Sequence, residues 1–271
     1  LNIVLQNRDH RKIVVIDGIV GFTGGINIGD EYINAYAKLG HWKDCAVLIK
    51  GDAVKSLLVS FLETWNFYHT KESEIAPFIS LDTQIDENET GFIQPYSDTP
   101  LDQSYLSQRI YLNILNQAKK YVYINTPYFI MDQAFLDEIT CAAKRGIDIR
   151  IVTPHIPDKW YVHIMTRSYY KELINAGVQV YEYTPGFIHS KTFVSDDTIG
   201  TVGTVNLDYR SMYHNFECGV WMYKTTAVTQ LRDDFLSTLE VCTKMNVEDC
   251  TNEKWYRKVF VFFFKIITPL L

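Results

Sequence analysis

The feature that most restricts this chain is a repeat. His10, Lys12, Asp17, Gly24 and Asn27 recur as His189, Lys191, Asp196, Gly203 and Asn206, each pair 179 positions apart with no gap. Agreement at that many positions in one register implies two related lobes in one chain. Both copies have the form H-x-K-x4-D-x6-G-[GT]-x-N, with Gly25 in the first and Thr204 in the second at the variable position. Alone, such a motif reads as a strand with a surface lysine; doubled in register, it reads as a site built from two halves.

Apolar periodicity around the motifs predicts strands. Residues 12–16 and 19–22 flank Asp17-Gly18, and 192–195 and 199–202 flank Asp196-Asp197, two hairpin signals. Strands are also expected over 45–50, 121–125, 148–153, 178–183 and 217–223. Helical spacing marks 53–68, 105–119, 133–144, 161–176 and 227–243, with Arg145-Gly146 and Ala176-Gly177 as C-caps. Alternating strands and helices imply an α/β fold of two related lobes, each a mixed β-sheet flanked by helices, with one site at their interface.

The expected division is 1–90 for the first lobe, 91–250 for the second and 251–271 for an amphipathic tail, with the polar stretch 80–90 as linker or surface loop. A long strand–helix pattern over 92–188 precedes the second motif, whereas nine residues precede the first. The first lobe is therefore expected to be incomplete, and the chain to be a C-terminal fragment; it begins with Leu1 rather than Met.

On a strand, residues two apart face the same side, so each His and Lys point together, and each Asn arrives from the neighbouring strand. Lys12, Lys191, Asn27 and Asn206 are suitable donors for the anionic oxygens of a phosphodiester. Two histidines suit a two-step displacement, one attacking phosphorus while the other moves the leaving group's proton. Asp17 and Asp196 complete the motif at hairpin turns, where a structural role is expected. The motif needs no metal or cofactor, and no further metal-ligand constellation is visible.

Composition narrows the class. The chain is 47% hydrophobic and 21% charged, a globular balance, and its net charge of −6 disfavours a general nucleic-acid-binding surface. Five cysteines without C-x-x-C pairing suit reduced thiols in a cytosolic environment. No secretory signal is read at the start, and no apolar run reaches the roughly 20 residues of a spanning helix. The longest candidate, 259–271, is interrupted by Lys265. The tail 255–271 either lies in a membrane interface or packs on its own domain. Residues 126–129 either line the entrance to the site or form a strand-end turn with aromatic packing. His41, His69, His155, His163 and His214 match no motif and read as surface or packing residues.

These residues resemble the phospholipase D superfamily, whose signature is the doubled His-Lys-Asp motif. The stretches HRKIVVIDGIVGFTGGINIGDEY (10–32), NTPYF (125–129), GFIHSKTF (186–193), GTVNLDYRS (203–211) and TPLL (268–271) are similar to bacterial cardiolipin synthases. The resemblance implies a phospholipase D-like fold, with transmembrane segments and the start of the first lobe ahead of this chain. It implies phosphatidyl transfer between two phosphatidylglycerol molecules, giving cardiolipin and glycerol through a phosphohistidine. His10 would be the nucleophile and His189 the acid/base. A carboxylate downstream of each motif would orient its imidazole: Glu217 beyond His189 and Asp44 beyond His10. A plain strand-end carboxylate is the other reading of both.

Implied partners are phosphatidylglycerol and other anionic phospholipids at a membrane surface, with a homo-oligomer left open. The implied place is the cytoplasmic side of the bacterial cell membrane. The superfamily often has Ser where this chain has Gly25 and Thr204. The competing functions are a phospholipase D-type hydrolase or nuclease, and an inactive lipid-binding fragment.

Overall fold

Strand Tyr121–Asn125 is buried throughout, with Val122 and Ile124 packed into one core and Tyr121 and Tyr123 into another. That alternation needs cover on both faces of the sheet. The computed structural model describes residues 7–70, 73–79, 89–251 and 255–268. Most of the expected linker 80–90 lies outside the described residues.

Among the described residues nine strands join one sheet, in the order Arg8–Asp9, Asn215–Tyr223, Ile199–Gly203, Thr192–Ser195, Tyr121–Asn125, Asp148–Pro154, Gln179–Tyr183, Cys242–Lys244, with Phe92–Asp98 also paired to Asn215–Tyr223. Helix Gln133–Lys144 links the parallel pair Tyr121–Asn125 and Asp148–Pro154, and helix Trp160–Asn175 links Asp148–Pro154 to Gln179–Tyr183. These are βαβ crossovers; the motif hairpin is antiparallel. Among the described residues Phe92–Asp98 pairs on one side only, which lets it hold Pro95.

Both faces are covered. Tyr111, Phe135, Ile139, Met165 and Tyr170 bring helices Leu106–Gln117, Gln133–Lys144 and Trp160–Asn175 onto one face. Val228 and Phe235 of helix Thr226–Leu239 lie on the other. Gly146 and Gly177 end their helices at φ 92° and 100°, as the C-cap reading requires.

The first motif lies in an antiparallel sheet of Ile13–Ile16, Val20–Gly24 and Ala46–Lys50, followed by helix Val54–Tyr68. Ile49, Val54 and Leu57 from this lobe are buried in the same core as Val228 and Phe235. The lobes therefore share an apolar interior. No described helix is long and apolar enough to cross a membrane.

Both motif hairpins turn through residues with positive φ: Asp17 at 53° and Gly18 at 70°, Asp196 at 55° and Asp197 at 56°. Positive φ at both central residues marks the turn type that matches strand twist. Here the copies part. The Asp196 carboxylate accepts from the backbone N–H groups of Lys119, Lys120 and Tyr121 at 2.7–2.9 Å, fixing the start of the next strand. Asp17 is exposed, and Ile13–Ile16 pairs only with Val20–Gly24 among the described residues. Asn tolerates the left-handed region but cannot offer a charged acceptor to three donors. Asp196→Asn should therefore cost about 1–3 kcal/mol in urea unfolding, and Asp17→Asn within about 0.5 kcal/mol. Equal losses would contradict this division of roles.

Candidate active site

Two short parallel pairings carry each motif histidine to the opposite lobe. Arg8 and Asp9 pair with Asn215 and Phe216, and the His10 N–H donates to the Phe216 carbonyl at 2.9 Å. Gly186, Phe187 and Ile188 pair with His41, Trp42 and Lys43, and the His189 N–H donates to the Lys43 carbonyl at 2.7 Å. The second arrangement is the image of the first with the lobes exchanged.

On the partner strand, the residue after each paired stretch supplies the carboxylate: Glu217 follows Asn215-Phe216, and Asp44 follows His41-Trp42-Lys43. His10 Nδ1 donates to both Glu217 oxygens, at 3.0 and 2.9 Å, and His189 Nδ1 donates to Asp44 Oδ2 at 2.6 Å. This corrects the pairing expected from sequence, in which Glu217 served His189 and Asp44 served His10. The reason is the docking itself. A histidine aligned beside Phe216 meets Glu217 next, and one aligned beside Lys43 meets Asp44. A carboxylate on Nδ1 fixes the tautomer and leaves Nε2 for chemistry.

The two supports differ in length and compensate. Fully buried Glu217 also accepts from Asn215 Nδ2 at 3.1 Å and from the Thr204 hydroxyl. Asp44, one methylene shorter, accepts from its neighbour Cys45 N–H at 2.8 Å. A Cβ on Gly25 would stand 2.1 Å from Asp44 Oδ1, so the missing side chain is space the carboxylate occupies. The motif glycines share one cause as well. A Cβ on Gly24 or Gly203 would lie 2.4 Å from the Cys45 carbonyl or 2.6 Å from that of Cys218.

His10, His189, Asn27 and Asn206 line one cavity of about 530 Å³. Lys12 and Lys191 stand beside them in matching poses, each ammonium donating to the carbonyl of its own motif's histidine, Lys12 at 2.7 Å. Asp17 and Asp196 lie at the far end of their strands and do not line it. Burial pulls the Lys191 ammonium down to about 7, with Asp44 opposing and the Lys12 charge reinforcing the shift. Burial also lowers Lys12, partly offset by Glu217. His189 falls to about 4 through burial and the neighbouring Lys191 charge, against the pull of Asp44. Burial alone would raise Asp44, but the His189 hydrogen bond and the Lys191 charge hold it below the usual carboxylate range. His189 therefore rests as a neutral imidazole.

Several wall residues carried no motif signal. Tyr32, Trp42 and Phe187 surround His189, with Tyr32 and Trp42 centroids each 5.4 Å and Phe187 6.0 Å from its ring. Asn27 Nδ2 donates to the Tyr32 hydroxyl at 2.5 Å. The buried Trp42 Nε1–H has no acceptor among the described residues. Tyr128, from the 126–129 stretch, lines the cavity and donates to Asp158 at 2.5 Å, while Phe129 is core. His155 is exposed, as the surface reading expects, and bonds buried Glu182 at 2.8 Å outside the cavity. Tyr32, Tyr128 and Phe187 fall within the stretches 10–32, 125–129 and 186–193, whereas Trp42 and Asp158 required three-dimensional proximity.

Residues 111–239 match the family described as cardiolipin synthase, PLD-like domain. The chain is 39% identical over its whole length to a cardiolipin synthase of Halalkalibacterium halodurans, and 38% identical to cardiolipin synthase 2 of Staphylococcus epidermidis. It spans 54% and 55% of those two proteins, about half the length of the curated relatives it matches. Its fold is similar to that of a phosphatidylserine synthase from Haemophilus influenzae, with TM-score 0.71, 14% identity, and cover of 97% of this chain and 68% of that one. With the doubled motif gathered at one cavity, residues 111–239 form a phospholipase D-like domain of the cardiolipin synthase type, and the chain is similar along its whole length to about half of each of these cardiolipin synthases.

Proposed function

We propose that this chain carries the catalytic site of a phosphatidyltransferase that joins two phosphatidylglycerol molecules into cardiolipin and releases glycerol. In this reading 1–90 and 91–250 are the two lobes, 251–271 is the tail, and the site works at the bacterial cell membrane from the cytoplasmic side. One observation carries the chemistry: two histidines, each braced at Nδ1 by the other lobe's carboxylate, face a single cavity.

The resting charge of His189 sets the order of events. A neutral imidazole has its Nε2 lone pair free, so His189 attacks phosphorus and His10 protonates the departing glycerol oxygen. This reverses the order implied by the resemblance. The P–O bond to the headgroup breaks as the P–N bond forms, giving phosphatidyl-His189. His10, now neutral, deprotonates a headgroup hydroxyl of the second phosphatidylglycerol. That oxygen displaces His189, and the imidazole is restored. Asn27 and Asn206 donate to the phosphate oxygens, and the charges of Lys12 and Lys191 favour the anionic transition state. Asp44 and Glu217 stabilise whichever imidazolium forms.

His10→Ala and His189→Ala should each lower cardiolipin formation by at least about a hundredfold, measured as cardiolipin and equimolar glycerol by mass spectrometry. Phosphatidic acid as the main wild-type product would instead make water the acceptor. An activated substrate, phosphatidyl-p-nitrophenol, separates the two roles, because its leaving group needs no proton. His10→Ala should still give a stoichiometric nitrophenol burst and a label on His189, while His189→Ala gives none. A burst in His189→Ala with the label on His10 would reverse the assignment.

The same buried imidazole sets a pH dependence of stability. Its folded value of about 4 lies below the usual 6.5. As pH falls through 6.5, the unfolded chain takes up a proton that the folded chain refuses until about 4. Stability is lost across that window and is unaffected by this group above it. The depressed Asp44 acts lower, below its usual 3.8. His189→Asn should therefore show a shallower fall in Tm between pH 6.5 and 4 than wild type. Parallel curves would contradict a neutral buried His189.

A further inference from the structure

Helix Trp255–Ile267 has two apolar sides, and its own domain covers only one. Phe260 and Phe264 pack on Trp160 and Tyr161 of helix Trp160–Asn175, with ring centroids 5.3 and 5.8 Å apart. The other side carries Val259, Phe262, Phe263 and Ile266, at the i, i+3, i+4, i+7 spacing of one helical face. Phe262, Phe263 and Ile266 are 66%, 63% and 65% exposed, and neighbouring Trp160 is 62% exposed. A surface helix normally turns polar residues to water, so an exposed apolar face such as this one marks contact with a second apolar environment.

Charge identifies that environment. From 254 to 271 the chain carries Lys254, Arg257, Lys258 and Lys265 and no acidic residue, although the whole protein has a net charge of −6. Positive charge concentrated in the same stretch of sequence as bulky aromatics is complementary to an anionic lipid surface, where aromatic rings sit at the headgroup level and cations meet phosphates; the Lys265 ammonium lies 4.7 Å over the Tyr169 ring of the underlying helix. Position strengthens this. Phe264 and Thr268, on or just after the same helix, line the cavity that holds His10 and His189.

We propose that the exposed face of this helix, with Trp160, is the docking surface that seats the cavity mouth on an anionic bilayer. The helix lies in the interface plane, with Phe262, Phe263 and Ile266 among the acyl chains, and lipid reaches the histidines along the wall formed by Phe264. This rests on the lipid-substrate reading above, but its test does not depend on turnover.

The 271-residue chain is sedimented with vesicles of phosphatidylglycerol and phosphatidylcholine, and with pure phosphatidylcholine. Wild type should partition onto the anionic vesicles, and Phe262→Glu/Phe263→Glu should bind at least about tenfold more weakly. Both positions are exposed, so the variant should keep its circular dichroism and its turnover of monomeric short-chain phosphatidylglycerol. Brominated acyl chains should quench a fluorescence component that Trp160→Phe removes. Equal binding by variant and wild type, or no preference for anionic vesicles, overturns the proposal. So does a wild-type dimer dissolved by the double substitution without loss of vesicle binding, since the face would then cover a second copy. Vesicle binding without phosphatidyl transfer would support the docking face while removing the enzymatic reading alone.

Discussion

Everything at this site hangs on two crossed imidazole–carboxylate pairs, His10 with Glu217 and His189 with Asp44. Neither lobe holds a complete pair. Glu217 has no exposed surface, and a buried carboxylate is tolerated only when its oxygens are satisfied. One of its satisfying donors comes from the other lobe, so the packing of the lobes and the readiness of the site are one condition. The shared core of Ile49, Leu57, Val228 and Phe235 supplies the apolar attraction, while the crossed pairs supply the register.

Pseudo-symmetry gives two similar halves, and small departures make them unequal. The side chain of His10 is 27% exposed, and that of His189 is 9% exposed behind Tyr32, Trp42 and Phe187. Burial and the adjacent Lys191 then hold His189 neutral. A two-step displacement needs one free lone pair and one available proton at its start, and two identical sites would have to break that tie by chance. In the proposed mechanism, unequal burial breaks it in advance. The exchange of Thr204 with Glu217 for Gly25 with Asp44 keeps both braces at hydrogen-bonding length despite the different carboxylates.

Much of this was legible before any coordinates, because strict spacing constrains both local structure and chemistry. The two hairpins, the turn aspartates, and the C-cap glycines Gly146 and Gly177 all follow from short-range rules. The neighbouring pose of His189 and Lys191 has another cause than the expected strand alternation, because residues 189–191 lie between strands Gly186–Ile188 and Thr192–Ser195. Nor does the crossing follow from short-range rules. Distance along the chain favours pairing Asp44 with His10, and no one-dimensional pattern records that residues 8–9 and 186–188 leave their own lobes. Trp42 and Asp158 were equally hidden, being single residues brought to the cavity by a short strand and a loop rather than by a periodic motif.

The crossing can be read directly from the imidazole nitrogens. In ¹⁵N-labelled protein, the Nδ1 and Nε2 shifts of each motif histidine report its tautomer and hydrogen bond. Glu217→Gln should move the resonances of His10 and leave those of His189 near their wild-type positions, and Asp44→Asn should do the converse. A Glu217→Gln spectrum in which His189 moves and His10 stays would mean that each motif braces its own histidine, and the interlobe account of the site would be wrong.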